Sequence, residues 1–117
     1  MPKAPPRKTP LVFYRTRAGS AVVRTWLRSL AAEDRNLIGQ DLMRAQFRWP
    51  VAMPLCRALG DGLWEVRSEL SHHRIARVVF FVQSGCMVVV HAFIKKKQKI
   101  PAEDLQLARK RKREFTG

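Results

Sequence analysis

The sequence is short of cysteine, of long apolar segments and of acidic residues, and each shortage excludes a class of protein. Its 117 residues contain two cysteines, Cys56 and Cys86, too few for the disulfide framework of a small secreted domain. We therefore expect reduced thiols in a cytoplasmic protein. No segment reaches the roughly 18 apolar residues of a transmembrane helix, and the first residues lack the apolar centre of a secretion signal.

The shortage of acidic residues gives the chain a large positive charge. Asp and Glu number 9 against 23 Lys and Arg, for a formal net charge of +14. Such a field attracts nucleic acid, an anionic membrane or an acidic protein partner. The few carboxylates are scattered, whereas two-metal nucleases need them clustered, and the three histidines have no cysteine or carboxylate at metal-ligand spacing. We therefore expect neither a metal site nor a cofactor.

The amount of apolar sequence is enough for a folded domain. Hydrophobic residues make up 46% of the chain, too many for a disordered protein, and the length suits one domain. The proline-rich, basic segment at residues 1–10 is predicted to be a flexible N-terminal arm. Residues 11–117 are predicted to form a single domain.

The first half of that domain has one strand signal and two helix signals. Residues 11–14 are a short apolar run after Pro10, which is typical of a strand. A helix is then predicted after Ser20, because apolar residues recur at i, i+3, i+4 and i+7. These residues are Val23, Trp26, Leu27 and Leu30. A second helix is predicted at residues 33–47, so the two would form a helical hairpin.

The second half is predicted to be a loop, three strands and a helix. Residues 48–62 contain two prolines and two glycines and are interpreted as mostly loop. Strands are predicted at residues 63–68, 75–82 and 87–94, and a final helix opens at Pro101. The order strand, two helices, three strands, helix indicates an α+β fold. It would have a mainly antiparallel four-stranded sheet, an N-terminal helical hairpin and a C-terminal helix.

Basic residues stand at the ends of the predicted strands. Arg67 ends the second strand, Arg74 and Arg77 begin the third, and a lysine cluster ends the fourth. The end of one antiparallel strand meets the start of the next. These cations are therefore predicted to gather at one end of the sheet. The lysines are Lys95, Lys96, Lys97 and Lys99.

Such a cluster suits metal-independent cleavage of RNA. The RNA 2′-hydroxyl attacks the adjacent phosphate and the 5′-oxygen leaves, which requires a base, an acid and cations that stabilise the transition state. Arginine and lysine can supply the charge. A histidine such as His91, or a lysine with a lowered pKa, can transfer protons. An aromatic ring such as Phe93 can stack on a splayed base.

Each of these residues also has a structural interpretation. The lysine cluster can be a solvated loop, and the strand arginines can pair with Glu65 and Glu69. His91 can be a satisfied histidine within an apolar strand, and Phe93 can belong to the core. The basic end of the last helix can simply complement the helix dipole. Only the arrangement of these residues favours a functional site.

Three segments in this order resemble the phage-derived, HigB-like branch of the RelE/ParE toxin superfamily. They are residues 62–67 (GLWEVR), residues 74–81 (RIARVVFF) and residues 91–101 (HAFIKKKQKIP). The third segment departs from the family pattern at Ile100, where threonine is usual. The resemblance extends over about residues 11–115.

The resemblance implies a toxin of a type II toxin–antitoxin system with a small twisted sheet flanked by helices. Such toxins cleave mRNA on the ribosome without a metal ion and so inhibit translation. The implied partners are a helix-turn-helix antitoxin of the HigA type, the ribosome and mRNA, with no membrane involved. Oligomerisation would occur mainly through the antitoxin. The implied location is the cytoplasm.

The resemblance also assigns site residues by position. Many RelE-type enzymes use a tyrosine near the C-terminal helix, where this chain has Phe115, and its single tyrosine is Tyr14. His91 is the best placed alternative, so the general acid and base stay open. The predicted catalytic residues are Arg67, Arg77, Lys95 and His91. The predicted RNA-binding residues are Arg74, Phe93, Lys96, Lys97 and Lys99.

Two other functions compete with the endoribonuclease. One is a catalytically inactive protein of the same fold that binds RNA or an antitoxin, with salt-dependent affinity. The other is a ParE-like toxin that poisons gyrase, which the lysine-rich strand end weakly disfavours.

Overall fold

The computed structural model describes residues 8–96 and 99–115. It contains five strands and three helices. In chain order these are β1 (Leu11–Phe13), α1 (Val22–Ser29), α2 (Ala32–Arg48), β2 (Cys56–Gly60), β3 (Leu63–Glu69), β4 (Ile75–Gln83), β5 (Cys86–Lys95) and α3 (Ala102–Glu114). The α+β fold and the mainly antiparallel sheet are confirmed.

The strands form one sheet in the order β1-β5-β4-β3-β2. Strands β2 to β5 are antiparallel meander neighbours, and β1 adds to β5 in parallel. Two short turns account for much of this order. Asp61 and Gly62 have φ of 54° and 77°, and Ser84 and Gly85 have φ of 52° and 73°. Paired positive φ values are typical of the tight turns that twist with their flanking strands.

The prediction of four strands is wrong, because residues 56–60 form a strand within the predicted loop. Pro54 and Gly60 were interpreted as breakers of this segment, but Pro54 precedes the strand and Gly60 is its last residue. Strand β2 is a short edge strand whose residues are mostly accessible. Its apolar residues therefore do not produce a clear two-residue period.

The two N-terminal helices are present, although their packing differs from a simple hairpin. Helix α1 packs mainly against β5, and α2 packs mainly against β3. Both cover the same face of the sheet. Their core residues include Val23, Leu27, Ile38, Leu42 and Ala45, which pack with Val66, Val78, Phe80 and Val89 of the strands.

Helix α3 covers the opposite face, here called the α3 face. Its core contains Ala108 with Val79, Phe81, Val88, Val90 and Phe93 of β4 and β5. Ala108 is the single fully buried residue of α3, so polar contacts supply much of its attachment. The hydroxyl of Tyr14 donates to Glu114 over 2.9 Å, and Arg111 Nη1 donates to the carbonyl of Val90 over 2.8 Å.

Two further expectations concern the cysteines and the membrane. Both cysteines are free, and burial raises the pKa of the Cys56 thiol to about 11. None of the helices in residues 8–96 and 99–115 combines the length and the apolar character needed to span a bilayer.

Candidate active site

Three predicted site residues lie in one row across the sheet. Arg67 on β3 stands opposite Arg77 on β4, and Arg77 stands opposite Phe93 on β5. Residues directly opposite on antiparallel strands project to the same face. Because Phe93 belongs to the core beneath α3, the whole row lies on the α3 face.

A β-bulge brings two more residues of β5 to that face. The register between β4 and β5 shifts after the pair Val79–His91, and the next pair is Phe80–Val89. Val90 is therefore an extra residue, and the alternation of side chains reverses beyond it. This reversal puts His91 and Lys95 on the α3 face together with Phe93. Strict alternation from Val88 would have put them on the other face.

Phe93 lies at the centre of these cations. The guanidinium carbon of Arg77 lies 5.9 Å from the centroid of its ring, and Lys95 Nζ lies 5.4 Å from it. The centroid of the His91 ring is 5.4 Å away. The ring is 7% exposed, which confirms the interpretation of Phe93 as a core residue. The five residues Arg67, Arg77, His91, Phe93 and Lys95 are called the cationic cluster below.

Glu65 supplies a negative charge beside the two arginines of the cluster. Its Oε2 lies 3.4 Å from Arg77 Nε, and its Oε1 lies 3.9 Å from Arg67 Nε. The side chains of Glu65 and Arg77 are 1% and 0% exposed. Burial raises the pKa of Glu65 and lowers that of Arg77, and the opposite charge of the partner counteracts each shift. The proposed ion pairing of the strand arginines with Glu65 is thus present.

The burial of Arg77 separates its role from that of Arg67. With no exposed side-chain surface, Arg77 cannot touch a bound phosphate in this conformation. The side chain of Arg67 is 16% exposed. Residue 67 also borders a groove of about 760 Å³ at the edge of the sheet, whose other lining residues are Glu69 and residues of α2 and of the segment 51–55. Arg67 is therefore the arginine of the cluster that a ligand can reach.

Arg57 is a neighbour of the cluster that the sequence analysis missed. It stands opposite Glu65 across β2 and β3 and so shares the α3 face. Its charge lowers the pKa of Glu65, against the effect of burial. Arg57 was missed because β2 was interpreted as loop, and without a strand there was no register to place it.

Asp104 is the second missed residue, and it binds two members of the cluster. His91 Nε2 lies 2.7 Å from Asp104 Oδ1, and Lys95 Nζ donates to Asp104 Oδ2 over 2.8 Å. Burial acts to raise the pKa of Asp104, but the bonds from Lys95 and His91 outweigh it and hold the pKa below its ordinary value. The sequence analysis gave this acid no place in the site. The sequence did contain one indication that Asp104 belongs near the site, because this residue follows shortly after the lysine cluster.

The remaining predicted RNA-binding residues are not part of the cluster. Arg74 forms two hydrogen bonds, of 2.8 and 3.0 Å, to the carboxylate of Asp34 on α2, so it points to the face opposite α3. The bond to Arg74 lowers the pKa of Asp34 despite burial. Lys96 and Lys99 are exposed, and Lys97 lies outside the described residues.

A shallow pocket of about 480 Å³ joins Lys96 to the turn between β3 and β4. It is lined by His72, His73, Arg74 and Lys96 with Glu69. The pocket lies beside the end of β3 and the start of β4.

Tyr14 and Phe115 lie at the far end of α3 from the cluster. Tyr14 is bonded to Glu114 in the last turn of the helix, whereas Asp104 is in the first turn. Phe115 packs edge-on against Phe81, with ring centroids 5.6 Å apart. Neither aromatic residue therefore contacts the cluster. No group of His, Cys, Asp and Glu side chains among the described residues is arranged to hold a metal ion.

Comparison with models of protein families gives a match that covers most of the chain. The family model described as "Phage derived protein Gp49-like (DUF891)" matches residues 25–113. The matched region runs from α1 to the last turn of α3 and includes every predicted site residue. Among curated proteins, none matches the chain.

Proposed function

Since this chain belongs to the family of phage-derived Gp49-like proteins, a toxin-like family of the RelE/HigB type, we propose that it is the toxin of a type II toxin–antitoxin system. Its proposed activity is the metal-independent cleavage of mRNA on the ribosome, which stops translation in the cytoplasm. The proposed inhibitor is a helix-turn-helix antitoxin of the HigA type.

One observation carries this proposal. Arg77, Lys95 and His91 surround the ring of Phe93, and Arg67 stands beside Arg77 in the same row of the sheet. The side chains of this group with exposed surface are those of Arg67, Lys95 and His91. Cations held in a partly dry site stabilise a phosphate that gains charge in the transition state. An imidazole can exchange a proton near neutral pH. These are the groups that transesterification of RNA requires.

The geometry suggests different roles for the cluster residues. Arg67 and Lys95 would contact the scissile phosphate, and His91 would transfer a proton. Arg77 would contribute its charge without touching the phosphate, because it is buried between Glu65 and Phe93. Phe93 would hold the cations in place, since Arg77 and Lys95 both lie over its ring.

The exposed lysines would extend the binding surface along the RNA. Lys96 and Lys99 lie just after β5 and are exposed to solvent. A phosphate on the surface of the protein can therefore reach them. Contacts of this kind supply affinity without base specificity. We propose the same role for Lys97 from its position in the sequence.

The test is cleavage of a defined mRNA in a cell-free translation reaction to which the purified protein is added. The matched variants are Arg67→Ala/Lys95→Ala in the cluster and Arg24→Ala/Arg28→Ala on the exposed side of α1, which remove equal charge. We expect new 5′ ends within translated codons for the wild type and the α1 variant, and none for the cluster variant.

Other outcomes of the same reaction would contradict the proposal. Ribosome binding without any new 5′ end would indicate an inactive binding protein of this fold. Intact mRNA together with inhibition of purified gyrase would indicate a ParE-like toxin. Equal cleavage by both double variants would place the activity outside the cationic cluster.

A further inference from the structure

The carboxylate of Asp104 contacts two residues of the cationic cluster, one through each oxygen. Oδ1 contacts His91 Nε2 at 2.7 Å, and Oδ2 accepts a hydrogen bond from Lys95 Nζ at 2.8 Å. The side chains of His91 and Asp104 are 13% and 12% exposed, whereas that of Lys95 is 36% exposed. Helix α3 brings the carboxylate over the sheet, while β5 supplies both of its partners.

The contact with Asp104 determines where the proton of His91 is. An ionised carboxylate has only acceptor atoms, and a neutral imidazole has one donor and one acceptor nitrogen. In the neutral imidazole, Nε2 must therefore carry the proton that it shares with Asp104, which leaves the lone pair on Nδ1. Ionisation of Asp104 is secured by its lowered pKa, to which the bonds from Lys95 and His91 both contribute.

We propose that Asp104 is a positioning residue that holds His91 with Nδ1 as the proton acceptor and holds Lys95 Nζ beside Phe93. This inference rests on the proposed RNA cleavage for its functional part. Asp104 itself touches neither RNA nor the reacting atoms. It acts through His91, whose Nδ1 would accept the proton of the 2′-hydroxyl.

The proposed step balances in atoms and charge. The 2′-oxygen forms a bond to phosphorus, the bond from phosphorus to the 5′-oxygen breaks, and the 2′-hydroxyl proton moves to Nδ1. The 5′-oxygen takes a proton from solvent water, and the imidazolium then returns its proton to solvent. The products are a 2′,3′-cyclic phosphate and a 5′-hydroxyl, with no oxidant or metal needed.

Few charged groups besides Asp104 face His91 and Lys95. Glu103 Oε1 lies 4.0 Å from Lys95 Nζ, but the Glu103 side chain is 85% exposed. Arg111 Nη1 donates to the carbonyl of Val90, next to His91, and the guanidinium carbon of Arg77 lies 5.9 Å from the centroid of the Phe93 ring. Glu103 is therefore a suitable control, because it shares the first turn of α3 without binding His91.

Nitrogen-15 NMR of the histidine rings tests the positioning without any RNA. At alkaline pH, we expect His91 in the wild type and in Glu103→Ala to show a protonated Nε2 and an unprotonated Nδ1. In Asp104→Ala we expect a mixture of the two tautomers. A His91 tautomer that is the same in Asp104→Ala and the wild type would overturn the inference.

Cleavage of ribosome-bound mRNA tests the functional part. We expect Asp104→Ala to lower the cleavage rate about 100-fold, as misplacement of a positioned base does, with Glu103→Ala unchanged. Asp104→Asn, which keeps the side-chain shape without the charge, guards against a folding defect. A wild-type rate in a folded Asp104→Asn protein with an altered His91 tautomer would overturn the inference.

The two measurements separate the inference from the proposed function. If the wild type cleaves RNA and both Asp104 variants cleave it equally well, the proposed function stands and the inference fails. If the wild type cleaves no RNA, the proposed function fails, and the NMR measurement alone decides whether Asp104 positions His91.

Discussion

Arg67 and Arg77 stand directly opposite each other on neighbouring strands, and the carboxylate of Glu65 lies 3.9 Å from one and 3.4 Å from the other. Two like charges directly across a sheet destabilise it, so the buried carboxylate makes the arrangement possible. Together, Glu65 and Arg77 hold the accessible guanidinium of Arg67 on the surface of the sheet.

Replacement of Glu65 should destabilise the fold strongly. Glu65→Gln leaves the buried Arg77 without its compensating charge, and breaking a buried pair in this way costs about 3–5 kcal/mol. Denaturant unfolding measures the difference in the free energy of unfolding. The control is Glu69→Gln, an exposed position at the end of the same strand. Equal stability of the two variants would show that Glu65 does not compensate Arg77.

The ion pair between Asp34 and Arg74 should make stability depend on pH in the acid range. The pKa of Asp34 is lowered in the folded protein, mainly by its bonds to Arg74, so the unfolded chain binds more protons and stability rises with pH. This contribution is fully present above the ordinary aspartate pKa of about 3.9. It disappears as the pH falls through the lower pKa of the folded state.

Thermal unfolding of the wild type and Asp34→Asn measures this dependence. The difference between their midpoints should be largest near neutral pH and should shrink at the acid end. Asp41→Asn is the control, because its pair with the exposed Arg44 is long, at 3.4 Å. A midpoint difference for Asp34→Asn that stays constant with pH would contradict the role of this pair.

Binding to single-stranded RNA should separate phosphate contacts from structural arginines. A Lys or Arg that contacts a phosphate adds about 0.7 to the slope of log affinity against log salt. We expect Arg67→Ala and Lys96→Ala each to reduce the slope by about that amount. Arg74→Ala should leave it unchanged, because Arg74 is bonded to Asp34. A reduced slope for Arg74→Ala alone would reverse the assignment.

The sequence predicts much of this site because the strand order alone brings Arg67, Arg77 and the end of β5 together. It does not predict which face His91 and Lys95 occupy, since that depends on the bulge at Val90. It also does not predict that Arg77 is buried, because burial of that charge depends on Glu65 in the neighbouring strand. Both features depend on the register between strands. That register cannot be predicted from the spacing of residues within one strand.

Asp104 and Arg57 could not be placed from the sequence for related reasons. Helix α3 has a thin apolar stripe in which Ala108 alone is fully buried, so hydrophobic periodicity does not determine which acid faces the sheet. Arg57 is on an edge strand whose residues are mostly accessible. Asp104 is placed by its contacts with His91 and Lys95, and Arg57 is placed by the pairing of β2 with β3.

Expression of the chain alone in growing bacteria, with sequencing of mRNA 5′ ends, tests the central claim most directly. The account predicts arrested translation and new 5′ ends within open reading frames for the wild type and for Arg24→Ala/Arg28→Ala. It predicts normal growth for Arg67→Ala/Lys95→Ala at equal protein level. Normal growth with intact transcripts at good wild-type expression, or full toxicity of the cluster variant, would contradict it.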